Sequence, residues 1–234
     1  MDEITAILVL MGTLTAAVVG LLAFLNHQRR SEKRSLMNQL ARKLNWKLET
    51  KRYRLDQNFY VTNSYFSYRY YAYHTLTGTQ EFAGKDRLAM MSEVCEVGND
   101  SGPATDSFIC YLMFDLPLPQ ELNLEIESEG RIPGNVTLLG CPRIKFESDA
   151  FNRRCEVRSS DKRFASHLVD PRMMEFLMQN PGPDVLLKAG RCYFIGRNWH
   201  PTEFYAVWRW AQEFLKRWPS HVVDELTVKE RVPG

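Results

Sequence analysis

Phe108-Ile109-Cys110-Tyr111-Leu112-Met113-Phe114 is an apolar run preceded by Gly98 to Asp106, where Asn99, Asp100, Ser101, Gly102 and Pro103 compose a loop. It reads as a strand, and it is not alone. Leu122 to Glu127, Val136 to Leu139 and Arg143 to Phe146 follow, each bounded by Pro, Gly or Asn. That spacing belongs to an antiparallel meander rather than to βαβ units. Upstream, Trp46 to Cys95 is rich in tyrosine, above all in Tyr65-Phe66-Ser67-Tyr68-Arg69-Tyr70-Tyr71-Ala72-Tyr73. High β-propensity without helical spacing predicts strands there as well.

Downstream the pattern turns helical. Ser160 or Asp161 can cap a helix bearing Phe164 and Leu168, and Asp170-Pro171 supplies a cap and a first-turn proline for a second, carrying Met173, Met174, Phe176 and Leu177. Asn180-Pro181-Gly182 stops it. Val185 to Lys188 and Arg191 to Ile195 flank Ala189-Gly190 as a hairpin. From Pro201 to Pro219 a helix places Phe204, Val207, Trp208, Ala211, Phe214, Leu215 and Trp218 on one face, which should lie across a sheet.

At the other end, Ile4 to Leu25 is an uncharged apolar run of about 22 residues, about 33 Å as a helix, which predicts a membrane span. Arg29, Arg30, Lys33 and Arg34 follow it, opposed only by Glu32, and form a membrane-interface cluster suited to anionic headgroups. With no Lys or Arg before the run, the expected topology is N-terminus outside, inner membrane, and domain in the cytoplasm. Asp2-Glu3 before the run and Asn26-His27-Gln28 after it do not fit a cleaved signal. Leu36, Leu40 and Leu44, with Met37 and Ala41 beside them, stripe a helix over Ser31 to Asn45. The expected division is therefore an anchor over 1–28, a juxtamembrane helix over 29–45 and a domain over 46–234. Its class is α+β, an antiparallel β-sheet with packed helices, preceded by one N-terminal transmembrane helix.

The composition narrows the functional classes. Net charge is 30 − 28 = +2, so outside the basic cluster the domain is near neutral and lacks the basic stripe of a nucleic-acid binder. Cys95, Cys110, Cys141, Cys155 and Cys192 are odd in number, irregularly spaced and without C-x-x-C, which suits a reducing compartment and buried structural thiols. The five cysteines and five histidines never reach zinc-ligand spacing. No cofactor is expected, since neither G-x-G-x-x-G nor G-x-x-x-x-G-K-[ST] occurs.

Phe146-Glu147-Ser148-Asp149-Ala150-Phe151-Asn152-Arg153-Arg154, continuing through Val157, Asp161, Ala165, Leu168, Pro171, Met174 and Leu177, resembles a family of uncharacterised bacterial membrane-anchored proteins. In that family an acidic-Ser-x-x-Phe-Asn-x-x-aromatic-x-Val segment leads into two helices with an Asp-Pro-x-x-Met-x-x-Leu pattern. Cys155 departs from it, standing where the family has an aromatic residue. The resemblance implies a cytosolic α+β domain on an anchor and transfers no catalytic residues. Packing alone also accounts for the motif, with Phe151, Cys155 and Val157 on one strand face.

Several candidate sites stand beside these structural readings. Cys155 with His167, or Cys192 with His200, would make a thiolate–imidazolium nucleophile if folding joined them. Glu147 and Asp149 would leave one strand face about 7 Å apart, a spacing open to acid–base work, although turn carboxylates are common at strand ends. Tyr65, Arg69, Tyr71 and Tyr73 could present a binding surface, for a protein or peptide in preference to nucleic acid. The leading expectation is a non-enzymatic binding or scaffolding module with a protein partner. The alternative is a tethered hydrolase built on a cysteine and a histidine.

Overall fold

The computed structural model describes residues 3–51, 53–54, 69–97, 108–128 and 141–231. It opens with one helix, α1 (Glu3–Leu44). Strands follow: β1 (Lys47–Glu49), β2 (Tyr53–Arg54), β3 (Arg69–Phe82), β4 (Lys85–Val97), β5 (Phe108–Asp115), β6 (Asn123–Ser128) and β7 (Arg143–Ile144). Then come α2 (Asp149–Arg154), β8 (Cys155–Ser159), α3 (Lys162–Leu168), α4 (Pro171–Gln179), β9 (Asp184–Lys188), β10 (Arg191–Arg197), α5 (Pro201–Lys216) and α6 (Ser220–Arg231). The expected loop over Gly98 to Asp106, the expected strand over Val136 to Leu139, and Tyr65 to Tyr68 lie outside the described residues.

The membrane span expected from the sequence is overturned. Among the described residues no helix is long and apolar enough to cross a membrane. The transmembrane anchor, the inner-membrane placement and the outside-to-cytoplasm topology that followed from it are withdrawn. Met11, Leu14, Val19, Leu22 and Phe24 are exposed on this half of α1.

The other half of α1 belongs to the core. Met37, Leu40 and Ala41 are buried, so the apolar stripe docks on the sheet and the helix runs without a break from one half to the other. It ends in a Schellman turn. Trp46 N–H donates to the Ala41 carbonyl at 2.8 Å and Asn45 N–H to that of Arg42 at 3.2 Å, with Asn45 left-handed at φ 55°. The turn drops Trp46 onto β3, where a Cβ at Gly78 would run into the indole.

Ten strands form one antiparallel sheet among the described residues, in the order β1-β3-β4-β5-β10-β9-β6-β8-β7, with β2 also paired to β3. Alternation sorts its two faces. Ala89, Met91, Cys110, Leu112, Phe114, Leu124, Ile126, Val185, Leu187, Cys192 and Phe194 point to the helices, while Val94, Ile109, Tyr111, Met113, Leu186, Tyr193 and Ile195 form a smaller cluster on the reverse face. α5 lies over the first face through Phe214 and Trp210, whose rings meet Phe194 edge-on at 5.6 and 5.9 Å. Such pairs contribute about 1 kcal/mol each beyond area burial.

The helix caps follow the sequence. Asp161 accepts from Phe164 N–H at 2.9 Å and Asp170 from Met173 N–H at 2.8 Å, with Pro171 in the first turn. The motif around Phe151 is different from the expected strand. Ser148 caps α2, Asp149 opens it and Phe151 is buried within it; the strand starts only at Cys155. Glu147 and Asp149 therefore flank a helix cap and do not share a strand face.

Two hairpin turns carry an alanine in the left-handed region. Ala83-Gly84 closes β3–β4 with φ 53° and 73°, and Ala189-Gly190 closes β9–β10 with φ 50° and 75°. Both turns are of type I′, in which asparagine tolerates the first position better than alanine does. Ala189→Asn is expected to raise the unfolding free energy by about 1 kcal/mol, measured by urea denaturation with unchanged m-value.

Candidate functional site

Among the described residues, five non-glycine positions have left-handed backbone: Asn45, His74, Ala83, Ala189 and Asn198. A helix cap and two hairpins account for three of them. Of the other two, Asn198 lines a cleft, and His74 holds Glu93, which lines the same one.

His74 sits in a bulge. In the β3–β4 ladder Tyr73 faces Glu93 and Leu76 faces Met91, so His74 and Thr75 together oppose Ser92. The extra residue breaks the alternation, and φ 48° at His74 turns the imidazole toward its neighbour strand. His74 Nδ1 lies 3.2 Å from Glu93 Oε2. Thr75 and Ser92, both buried, pair their hydroxyls at 2.9 Å behind it.

Glu93 is 2% exposed and faces the helices. Its other oxygen, Oε1, meets Lys33 Nζ of α1 at 2.5 Å. A carboxylate taken out of water costs several kcal/mol unless its oxygens find charged or hydrogen-bonding partners. Here one oxygen is met from the helix and the other from the bulge. Directly across the ladder is Cys110 of β5. Burial, followed by the Glu93 charge, pushes that thiol up to about 12, against the opposing pull of a hydrogen bond with the Trp199 backbone.

The far wall comes from the β10–α5 connection. Asn198 is left-handed at φ 50°, and a Cβ at Gly196 would run into the Trp199 indole, so glycine is what lets that ring lie against the strand. Trp199 also meets Phe204 edge-on at 5.5 Å. His200 caps α5: its backbone N–H donates to Glu203 Oε2 at 2.6 Å and its Nδ1 lies 2.8 Å from Thr202 Oγ1. Between these walls is a cleft of about 380 Å³, lined by Arg29, Glu32, Lys33 and Leu36 on α1, by Glu93, and by Asn198 to Pro201. Trp199 also borders a second cleft, of about 470 Å³, running to the Pro181–Pro183 loop, Arg197 and Trp210.

This arrangement joins two sets that the sequence keeps apart. Lys33 of the basic cluster reaches Glu93, and Arg29 lines the same cleft, while Arg34 is exposed on α1 and the Arg30 side chain lies outside the described residues. Tyr73, opposite Glu93, and Tyr71, opposite Cys95, share the helix-facing side of β3 and are half-buried. Tyr65 and the Arg69 side chain lie outside the described residues. His74, Glu93, Asn198 and Trp199 were not among the expected site residues. The only local signal was a histidine within the tyrosine-rich strand and an Asn-Trp-His-Pro sequence ahead of α5.

The cysteine–histidine pairs are placed apart. Cys192 is wholly buried on β10, and burial holds its thiol well above its ordinary value; Cys155 is buried on β8 and pushed up to about 11 by the same cause. His167 instead faces His221 with ring centroids 5.2 Å apart, beside a third cleft of about 730 Å³ between α3 and α6. His200 is engaged at the α5 cap. Among the described residues no group of three or more His, Cys, Asp or Glu is placed to hold a metal ion.

No family model matches the chain, and no curated protein matches it. Among solved structures it is similar to the crystal structure of the mycobacterial trehalose monomycolate transport factor A, TtfA, at 9% identity and a TM-score of 0.49, over 80% of this chain and 96% of that one. A likeness at that level carries no argument about function.

Two outcomes test the site's chemistry. Lys33→Met should destabilise the fold by about 3 kcal/mol in urea denaturation, and adding Glu93→Leu should recover part of the loss, because the cost lies in the carboxylate left short of a partner. In a Cys95→Ala background, a maleimide at pH 8 should label half-buried Cys141 first. Cys110, Cys155 and Cys192 should react only as the chain unfolds; rapid labelling of any of the three would restore a reactive thiol.

Proposed function

We propose that this chain is a non-enzymatic binding module that holds its partner in the cleft between α1 and the β10–α5 connection. One observation carries the reading: the cleft is lined by a buried, doubly partnered carboxylate, Glu93, and both left-handed residues that no cap or hairpin accounts for serve it, Asn198 in the lining itself and His74 as a partner of Glu93. Backbone strain of this kind costs about 1–3 kcal/mol at each site and persists where the surrounding structure over-determines it, which is common at ligand clamps. The cleft's volume falls in the range of ligand sites, and it combines an apolar wall with a few placed polar groups.

The chemistry of the cleft weighs against the thiol hydrolase. A nucleophilic cysteine needs a lowered pKa and access, whereas Cys110, across the ladder from the carboxylate, is fully buried and raised to about 12. Glu93 has both oxygens engaged by Lys33 and His74, which suits a fixed structural charge better than a group that must accept protons during turnover.

The test is a fragment screen on the isotope-labelled full chain, following the tryptophan indole N–H resonances. Fragments are expected to move the Trp199 signal before the other four tryptophans, and Trp199→Ala should abolish their binding. A screen in which no fragment perturbs Trp199, or in which binding survives Trp199→Ala, would overturn the reading.

A further inference from the structure

We infer that what this cleft takes is a carboxylate carried on an aromatic or other apolar body, with Arg29 meeting the carboxylate and Trp199 the body. The inference rests on the binding-module reading above and names the chemistry of the occupant.

The charges on α1 decide the polar half. At 3.6 residues per turn, Arg29, Lys33 and Leu36 fall within about 60° of one another and make one row, while Glu32 lies about 60° round the helix from Arg29. All four line the cleft, with Arg29 between Leu36 and Lys33 at the middle of the row and Glu32 beyond Leu36, on the side away from Lys33. Lys33 is committed to Glu93. Arg29 is exposed and has neither ion-pair nor hydrogen-bond partner among the described residues. A guanidinium stays charged at any working pH, and its planar fork matches a carboxylate with two parallel hydrogen bonds.

The other groups agree with an anion more than with a cation. Of the two carboxylates that line the cleft, Glu93 is buried with its oxygens facing Lys33 and His74, and Glu32 is exposed beyond Leu36, so the group at the middle of the α1 row is the Arg29 guanidinium. His200 uses Nδ1 on Thr202, and its Nε2 has no partner among the described residues; that edge can donate to an oxyanion. Leu36, Trp199 and Pro201 supply the apolar wall. A space of about 380 Å³ suits one ring or one residue's end, not a nucleotide.

Two sources share this chemistry, a free small acid and the C-terminal residue of a protein chain. Calorimetry on the full chain separates them. The probes are indole-3-acetate, its amide, tryptamine, and a pentapeptide ending in tryptophan with either a free or an amidated terminus. The acid in at least one pair is expected to bind at least tenfold more tightly than its amide. Arg29→Gln, a change at an exposed side chain that the core does not use, should erase that preference, and Trp199→Ala should remove binding altogether. A preference seen only with indole-3-acetate identifies a small acid; one seen only with the peptide identifies a chain terminus. Equal binding of acid and amide, tighter binding of tryptamine, or a preference that survives Arg29→Gln would overturn the inference. So would silence from every probe, and in that case the fragment screen judges the binding-module reading separately.

Discussion

A carboxylate that is 2% exposed and sits among packed side chains is the constraint around which this molecule is arranged. The cost of burying Glu93 is offset because Lys33 approaches from the helix layer and His74 from within the sheet. Each partner imposes something on the fold. Lys33 sets how α1 lies against β4, in register with the apolar contacts of Met37, Leu40 and Ala41 one and two turns further on. His74 can reach Glu93 only because the β3–β4 ladder takes an extra residue, and that bulge puts left-handed backbone at a position that a regular strand would keep extended.

The rest of the cleft depends on indoles lying on glycines. Trp46 rests against Gly78, Trp199 against Gly196 and Trp210 against Gly182, and in each case a Cβ would occupy the ring's place. A large flat ring gains contact area when the backbone beneath it carries no side chain. The first of these contacts seats the end of α1 on β3. The second holds the cleft wall, and the third holds the Pro181–Pro183 loop against α5. Three separate loops are thus positioned by the same device, and two of them border the clefts on either side of Trp199.

The thiols illustrate how burial separates chemistry from composition. Five cysteines and five histidines invite a catalytic reading when seen as a list of residue types. Placed in the sheet, Cys110 and Cys192 alternate into the helix-facing core, and desolvation favours their neutral form. Four of the histidines take other work: one binds a buried carboxylate, one caps a helix and two face each other between α3 and α6.

Much of the element pattern was legible because it depends on neighbours in the chain. The run Phe108 to Phe114 became β5, Asp161 and Asp170 became caps, Ala189-Gly190 became a turn, and the apolar face from Phe204 to Leu215 became the core side of α5. α-Helical and β periodicities and capping hydrogen bonds all act within a few residues, so the sequence by itself determined them. It misled at Glu147 to Phe151, where a strand-like composition is overridden by Ser148 capping a short helix, and at the apolar start of α1. The candidate site was decided only by tertiary structure. Lys33, His74, Glu93 and Asn198–Trp199 come from four distant parts of the chain, and what joins them is a one-residue slip in a ladder and the seating of a helix on a sheet. Neither leaves a local mark, because both are set by which long-range pairing buries the most apolar surface while leaving no buried charge alone.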